Sequence, residues 1–131
     1  MSKVLVDTSA WIEFFRARVT QVGDRVQELI EQNRATCSGI ILTELLSGTR
    51  SQREFTEVLD MMIGLEIFYD TPEICVEAGR IASSLRRQGM TIPLADTLIA
   101  AQAIVHHLAI LSLDQHFREV NGILDLKLVK I

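Results

Sequence analysis

Two hydrophobic rhythms alternate along this chain. Val4-Leu5-Val6 is a short β-branched run without helical period, which suits a strand buried on both faces, and it stops at Asp7. Thr8 and Ser9 are favourable helix caps, and Ala10 to Phe15 reads as a helix. Val26, Leu29 and Ile30 recur at helical spacing within 24–32. Ala35-Thr36-Cys37 reads as a strand, Ser38 as the cap of a helix over 39–47, and Gly48 as its end. A helix over 51–62 carries Arg53, Glu54, Glu57 and Asp60 on its wet side, and Leu65 to Phe68 follows as a strand. Thr71-Pro72 opens a helix whose buried stripe is Ile74, Ala78, Ile81, Ala82 and Leu85, with Gly89 past its end. Pro93 stands at the start of the next helix, which carries Asp96 in its first turn. Ala109-Ile110-Leu111 is a strand, His116-Phe117 a turn or short helix, and Leu126 to Ile131 a last edge strand. Strands alternating with helices predict an α/β fold with a mainly parallel sheet.

With 131 residues the chain suits one domain able to bury its own core. Apolar residues make up 48% and charged residues 23%, which excludes a disordered segment. The most apolar region, 94–113, is interrupted by Asp96, Gln102, His106 and His107, so no membrane span is expected. MSKVLVD lacks the form of a signal peptide, and Cys37 and Cys75, without CxxC spacing, read as reduced core thiols of a cytoplasmic protein. A net charge of −4 argues against a non-specific nucleic-acid coat but not against an enzyme acting on nucleic acid. Lysines are only Lys3, Lys127 and Lys130, so arginine dominates the basic residues; Arg80, Arg86 and Arg87 fall on or near one exposed helix side and are candidates to grip phosphates.

Four acids carry the candidate chemistry. Asp7 and Asp114 follow strands, Asp96 lies in a first helical turn, and Glu44 sits near the start of another helix. In a parallel sheet, strand carboxyl ends and the amino ends of the following helices share one edge, so all four can converge there. Three of them have a plainer reading. Asp7 suits a turn, Asp96 suits a helix dipole, and Glu44 suits a polar edge with Thr43 and Ser47. Clustered carboxylates repel unless protons or cations intervene, and oxygen ligands select Mg²⁺ or Mn²⁺. Such an ion serves phosphodiester hydrolysis. Glu44, among Ile40, Ile41, Leu45 and Leu46, is expected to hold or deprotonate the attacking water, with apolar surroundings raising its affinity for a proton.

The segments VLVDTSAWIEFF, SGIILTELLSG, PLADTLIAAQA and LSLDQHF resemble the successive motifs of PIN-domain nucleases, and more narrowly the VapC-type toxins of toxin–antitoxin pairs. The resemblance runs over nearly the whole chain. It implies a PIN-like three-layer α/β/α sandwich over residues 1–131, its mainly parallel central sheet flanked by helices. It also implies a Mg²⁺-dependent endoribonuclease, dimeric, neutralised by a small antitoxin. By motif match Asp7, Glu44, Asp96 and Asp114 take the places of the family's four acids, both as catalytic residues and as metal ligands. Ser112 falls where a hydroxyl supports the site. Many members carry a further acid two residues after the last one; this chain has His116, which departs from the pattern and reads as structural or merely exposed. His106 and His107, ending a helix, read as dipole partners.

Other readings fit less well. A dehalogenase-type phosphatase wants a second Asp where Ser9 stands, and a receiver domain wants a late Lys placed elsewhere than Lys127 or Lys130. An RNA-processing PIN nuclease without an antitoxin and a non-catalytic binding module remain as alternatives; the compact length favours the toxin. The aromatic group Trp11, Phe14 and Phe15 suits either an interface or the core.

Overall fold

The computed structural model describes residues 2–16 and 18–131; Met1 and Ala17, which the sequence reading includes in the domain, lie outside them. The elements run β1 (Val4–Val6), α1 (Thr8–Phe15), α2 (Gln21–Glu31), β2 (Ala35–Ser38), α3 (Gly39–Ser47), α4 (Gln52–Met62), β3 (Glu66–Phe68), α5 (Pro72–Arg87), α6 (Leu94–His106), β4 (Ala109–Leu111), α7 (Gln115–Val120) and β5 (Lys127–Leu128). All five strands are parallel, in the order β3-β2-β1-β4-β5. From β1 the chain steps outward through β2 to β3, then returns to the other side of β1 for β4 and β5. The reversal opens a crevice between the carboxyl ends of β1 and β4, where open α/β sheets bind ligands.

Burial explains the strand sequences. Every residue of β1 and β2 is buried, which suits the apolar Val-Leu-Val of β1 and the small side chains of β2. Polar Thr36 is accommodated because its hydroxyl donates to the Val4 carbonyl at 2.9 Å. The helices begin where capping chemistry directs. Thr20, Ser38, Ser51 and Thr71 accept from the backbone N–H of Gly23, Ile41, Glu54 and Ile74. The cap at Thr20 starts α2 three residues earlier than the apolar spacing indicates.

α5 and α6, joined through residues 88–93, pack extensively on each other. α5 contributes Ile74, Ala78, Ile81 and Leu85, and α6 the small residues Ala100, Ala101 and Ala103. Gly89 adopts φ +78°, a left-handed conformation that glycine takes without a Cβ clash and that stops α5. His107 ends α6 in the same region at φ 56°, while His106 stacks on Phe68 with ring centroids 4.3 Å apart.

Two expectations are corrected, and one open reading is resolved. The final strand is confined to Lys127–Leu128 instead of 126–131; it lies at the sheet edge, paired only with β4. Cys37 is buried, its thiol pushed up to about 12 by burial, but Cys75 is exposed because the buried stripe of α5 passes through its neighbour Ile74. Both thiols are free. Trp11 is wholly buried and belongs to the core, Phe14 packs against that core, and Phe15 with Ile12 reaches the surface. No helix among the described residues is long and apolar enough to cross a membrane.

Candidate metal centre

The crevice is built by loops that leave β1 and β4 side by side. The Asp7 N–H donates to the Leu111 carbonyl at 2.9 Å, which locks the end of β1 to the end of β4. Asp7 occupies the N-cap position of α1, yet its carboxylate makes no capping bond. It turns into the crevice and is almost wholly buried. Thr8 and Ser9 do not cap either, contrary to the sequence reading. The Thr8 hydroxyl donates to Glu44 Oε1 at 3.0 Å, and the Ser9 hydroxyl lies 3.2 Å from Asp7 Oδ2.

From the β4 side, Ser112 donates to the same Asp7 oxygen at 2.6 Å and accepts from the Asp114 N–H at 3.0 Å. The two serine oxygens are 3.3 Å apart, and Ser9 also accepts from the Leu113 N–H at 2.9 Å. A pair of hydroxyls thus ties the two loops together around one carboxylate. Ser112 has the supporting position that the family resemblance implies. Ser9 was passed over in the sequence, where its place behind Asp-Thr read only as a cap.

Asp96 enters from the first turn of α6 and is buried. Asp114 caps α7 by accepting from the His116 N–H at 2.9 Å. His116 then folds back. Its Nδ1 lies 2.6 Å from Asp96 Oδ2 and 3.0 Å from Asp114 Oδ1. Asp96, Asp114 and His116 each offer a ligand atom within 4.8 Å of the others. The expectation of a merely structural or exposed His116 is therefore corrected: the ring is part of the cluster. A DxH spacing was visible in the sequence, but only the short helix α7 turns its third residue back toward its first.

The charges are strained in the way crowded acids are. Burial raises the proton affinity of Asp7; the hydrogen bonds from Ser112, the Thr8 N–H and Ser9 oppose this, and the charge of Asp114 adds to it. Burial likewise raises Asp96 above the ordinary carboxylate range, offset by the His116 hydrogen bond and reinforced by Asp114 and Asp7. The Asp96 hydrogen bond is the main cause holding the His116 imidazole above its usual value, with Asp114 contributing. Three acids with a single imidazole between them form a site in which negative groups outnumber positive ones. A divalent cation would relieve it, and the oxygen-rich donor set fits such an ion.

Glu44 is not within this group. α3 buries Ile41 and Leu45, four residues apart on one line, and Thr43, Glu44 and Ser47 stand off that line and are exposed. The apolar enclosure expected for Glu44 is absent. The side chain instead lies on the wall of a cleft of about 440 Å³ between α1, α3 and α4, lined also by Thr8, Ile12, Phe15, Arg16 and Arg50. Thr8 connects it to Asp7 through the chain.

Comparison with known proteins agrees with this geometry. The PIN domain family model matches residues 4–123. A VapC ribonuclease of Mycobacterium bovis is 33% identical over 130 residues, covering 95% of this chain and 96% of the relative. Ribonuclease VapC1 of Methanocaldococcus jannaschii is 35% identical over 105 residues, covering 79% and 70%. Among solved structures, DNA-bound VapBC from Salmonella typhimurium superposes with a TM-score of 0.80 at 23% identity, covering 98% of both chains. VapC20 of Mycobacterium tuberculosis, described as a toxin cleaving the sarcin–ricin loop, superposes at 0.69 and 14% identity, covering 90% and 95%. With its acids gathered at the sheet's reversal point and its sequence matched from end to end of the fold, the chain belongs to the PIN-domain family, among the VapC ribonucleases.

Proposed function

We propose that this chain, acting as one PIN-like domain, is a Mg²⁺-dependent endoribonuclease and the toxin of a toxin–antitoxin pair in the cytoplasm. The observation that carries the reading is the convergence of Asp7, Asp96 and Asp114 on the β1–β4 crevice, with two of them holding protons more tightly than free carboxylates do. Asp7, Asp96 and Asp114 hold the cation, Mg²⁺ or Mn²⁺, and Ser112 and Ser9 fix the rotamer of Asp7. When bound, the ion supplies Lewis-acid activation of water and of the phosphodiester. Glu44 faces open solvent beside the crevice, suited to take a proton from an attacking water, and Thr8 sets its direction. As a ligand it would act at the margin of the site.

The partners follow the same reading. RNA crosses the crevice. A small antitoxin lays an amphipathic segment along the cleft between α1, α3 and α4, where Ile12 and Phe15 offer apolar surface beside Glu44 and Glu54. A basic antitoxin side chain there would meet Glu44 and Glu54. The active toxin is a homodimer.

The decisive experiment incubates purified protein with a pool of cellular RNAs, with Mg²⁺ or with EDTA, and maps the new ends. Asp96→Asn should lower the cleavage rate by roughly a hundredfold or more, the scale of losing one strong electrostatic stabiliser. A folded Asp96→Asn protein that cuts at the wild-type rate would sink the assignment. RNA binding without any cleavage would favour a non-catalytic module instead.

A further inference from the structure

We propose that His116 is a ligand of the metal and shifts this site's preference from Mg²⁺ toward Mn²⁺ and neighbouring first-row ions. The inference rests on the metal-dependent reading above and names the ion that this chain selects.

Three observations support it. Nδ1 of His116 reaches two carboxylates at once, Asp96 Oδ2 at 2.6 Å and Asp114 Oδ1 at 3.0 Å. Adjacent ligands of an octahedral ion with bonds of about 2.1 Å stand roughly 3 Å apart, so the two distances from Nδ1 are near those between neighbouring ligands of one ion, and all three ligand atoms lie within 4.8 Å of one another. Second, the ring is placed by the backbone: His116 N–H is anchored on Asp114, and α7 begins at Gln115, so the imidazole is carried by the same turn that carries the acid. Third, the side chain is partly exposed, at 38%, so the ring is not held at the carboxylates by enclosure in the core. It stays because the two acids attract it, as they would attract a cation. Nδ1 thus lies beside both carboxylate oxygens at the point where an ion would sit.

The consequence follows from ligand chemistry. Mg²⁺ takes oxygen almost exclusively and sheds water reluctantly. Imidazole nitrogen suits the first-row transition ions, of which Mn²⁺ is the one that also accepts a mainly carboxylate site. Exchanging one oxygen donor for nitrogen therefore penalises Mg²⁺ while Mn²⁺ keeps its hold. His106 and His107, the other two histidines, end α6 outside this cluster.

The test is direct binding, measured without RNA. Mn²⁺ added to the wild-type protein should give a pulsed electron paramagnetic resonance signal modulated by an imidazole nitrogen, and His116→Ala should abolish that modulation while still binding Mn²⁺. By calorimetry, His116→Asp should reduce the ratio of Mn²⁺ to Mg²⁺ affinity by at least roughly tenfold, the scale on which ligand environments tune metal sites. Mn²⁺ bound by wild type without nitrogen modulation, or an affinity ratio unchanged in His116→Asp, would overturn the inference and leave the nuclease reading standing. No binding of either ion at millimolar concentration would remove the metal-dependent reading and this inference together.

Discussion

At the scale of single residues, the site keeps carboxylates where water would ordinarily be preferred, and this has a measurable cost in stability. A group whose folded form binds its proton more tightly than the unfolded chain contributes stability below its unfolded value and loses it as pH rises through its folded value. Asp7 and Asp96 both rise from 3.8, and His116 rises from 6.5. All three therefore predict that the metal-free protein weakens with increasing pH, the acids over the range above 3.8 and the imidazole over the range above 6.5. Asp7→Asn removes the buried charge while retaining an acceptor for Ser112. Its melting temperature without metal should exceed that of wild type at pH 7, and the gap should close as the pH falls toward 4. A variant less stable than wild type at pH 7 would show that Asp7 is well accommodated without a cation. The positions of Asp7, Asp96 and Asp114 were legible in the sequence because strand ends and first helical turns have fixed places in a parallel sheet. The roles of Ser9 and His116 were not, because they depend on hydrogen bonds to Ser112, 103 residues away, and to Asp96, 20 residues away. Glu44 misled for a related reason: apolar neighbours in sequence say little about which side of the helix a residue occupies.

At the scale of elements, the position of α1 governs the site, since Thr8 and Ser9 both act from its first turn. α2 holds it in place. At Gly23 the two helices leave no room for a side chain: a Cβ there would stand 2.9 Å from Thr20 Oγ1 and 3.0 Å from the Glu13 carbonyl oxygen. The hydroxyl is the α2 cap and the carbonyl is backbone, so neither yields easily. Gly23→Ala should destabilise the fold by about 1–3 kcal/mol, as overpacking typically does, despite the better helix propensity of alanine. Chemical denaturation checks this, and a neutral or stabilising result would mean that α2 is free to move away from α1. Most elements were readable from apolar period and capping hydroxyls. The shortening of β5 was not, because Leu126-Lys127-Leu128 and Val129-Lys130-Ile131 each alternate well enough for a strand, while pairing with β4 involves only Lys127 and Leu128.

At the scale of the whole molecule, an acidic protein must grip a polyanion through local cations. Arg80, Arg86 and Arg87 are exposed on α5 and form no ion pair with an acid among the described residues; Arg87 only donates to Ser83 at 2.7 Å. Arg86 and Arg87 lie in the last turn of α5, one short connection before the turn of α6 that bears Asp96. If this helix borders the RNA path, Arg80→Ala with Arg87→Ala should lower the salt dependence of single-stranded RNA binding by roughly 1.4, from about 0.7 per phosphate neutralised. The Asp96→Asn background permits the measurement without cleavage. An unchanged slope would move the search to Arg16, Arg18, Arg50 and Arg53. The hydrogen bond from Ser112 to Asp7 spans 105 residues of chain. On the ribosome, Asp7 is made well before Ser112 and must wait for it. A nascent chain that ends before residue 109 has no Asp114 and lacks β4, one of the two strands that pair with β1. Stalled or truncated translation of this message therefore yields fragments that cannot cut, and harm to the host is deferred until nearly all of the described fold has been synthesised.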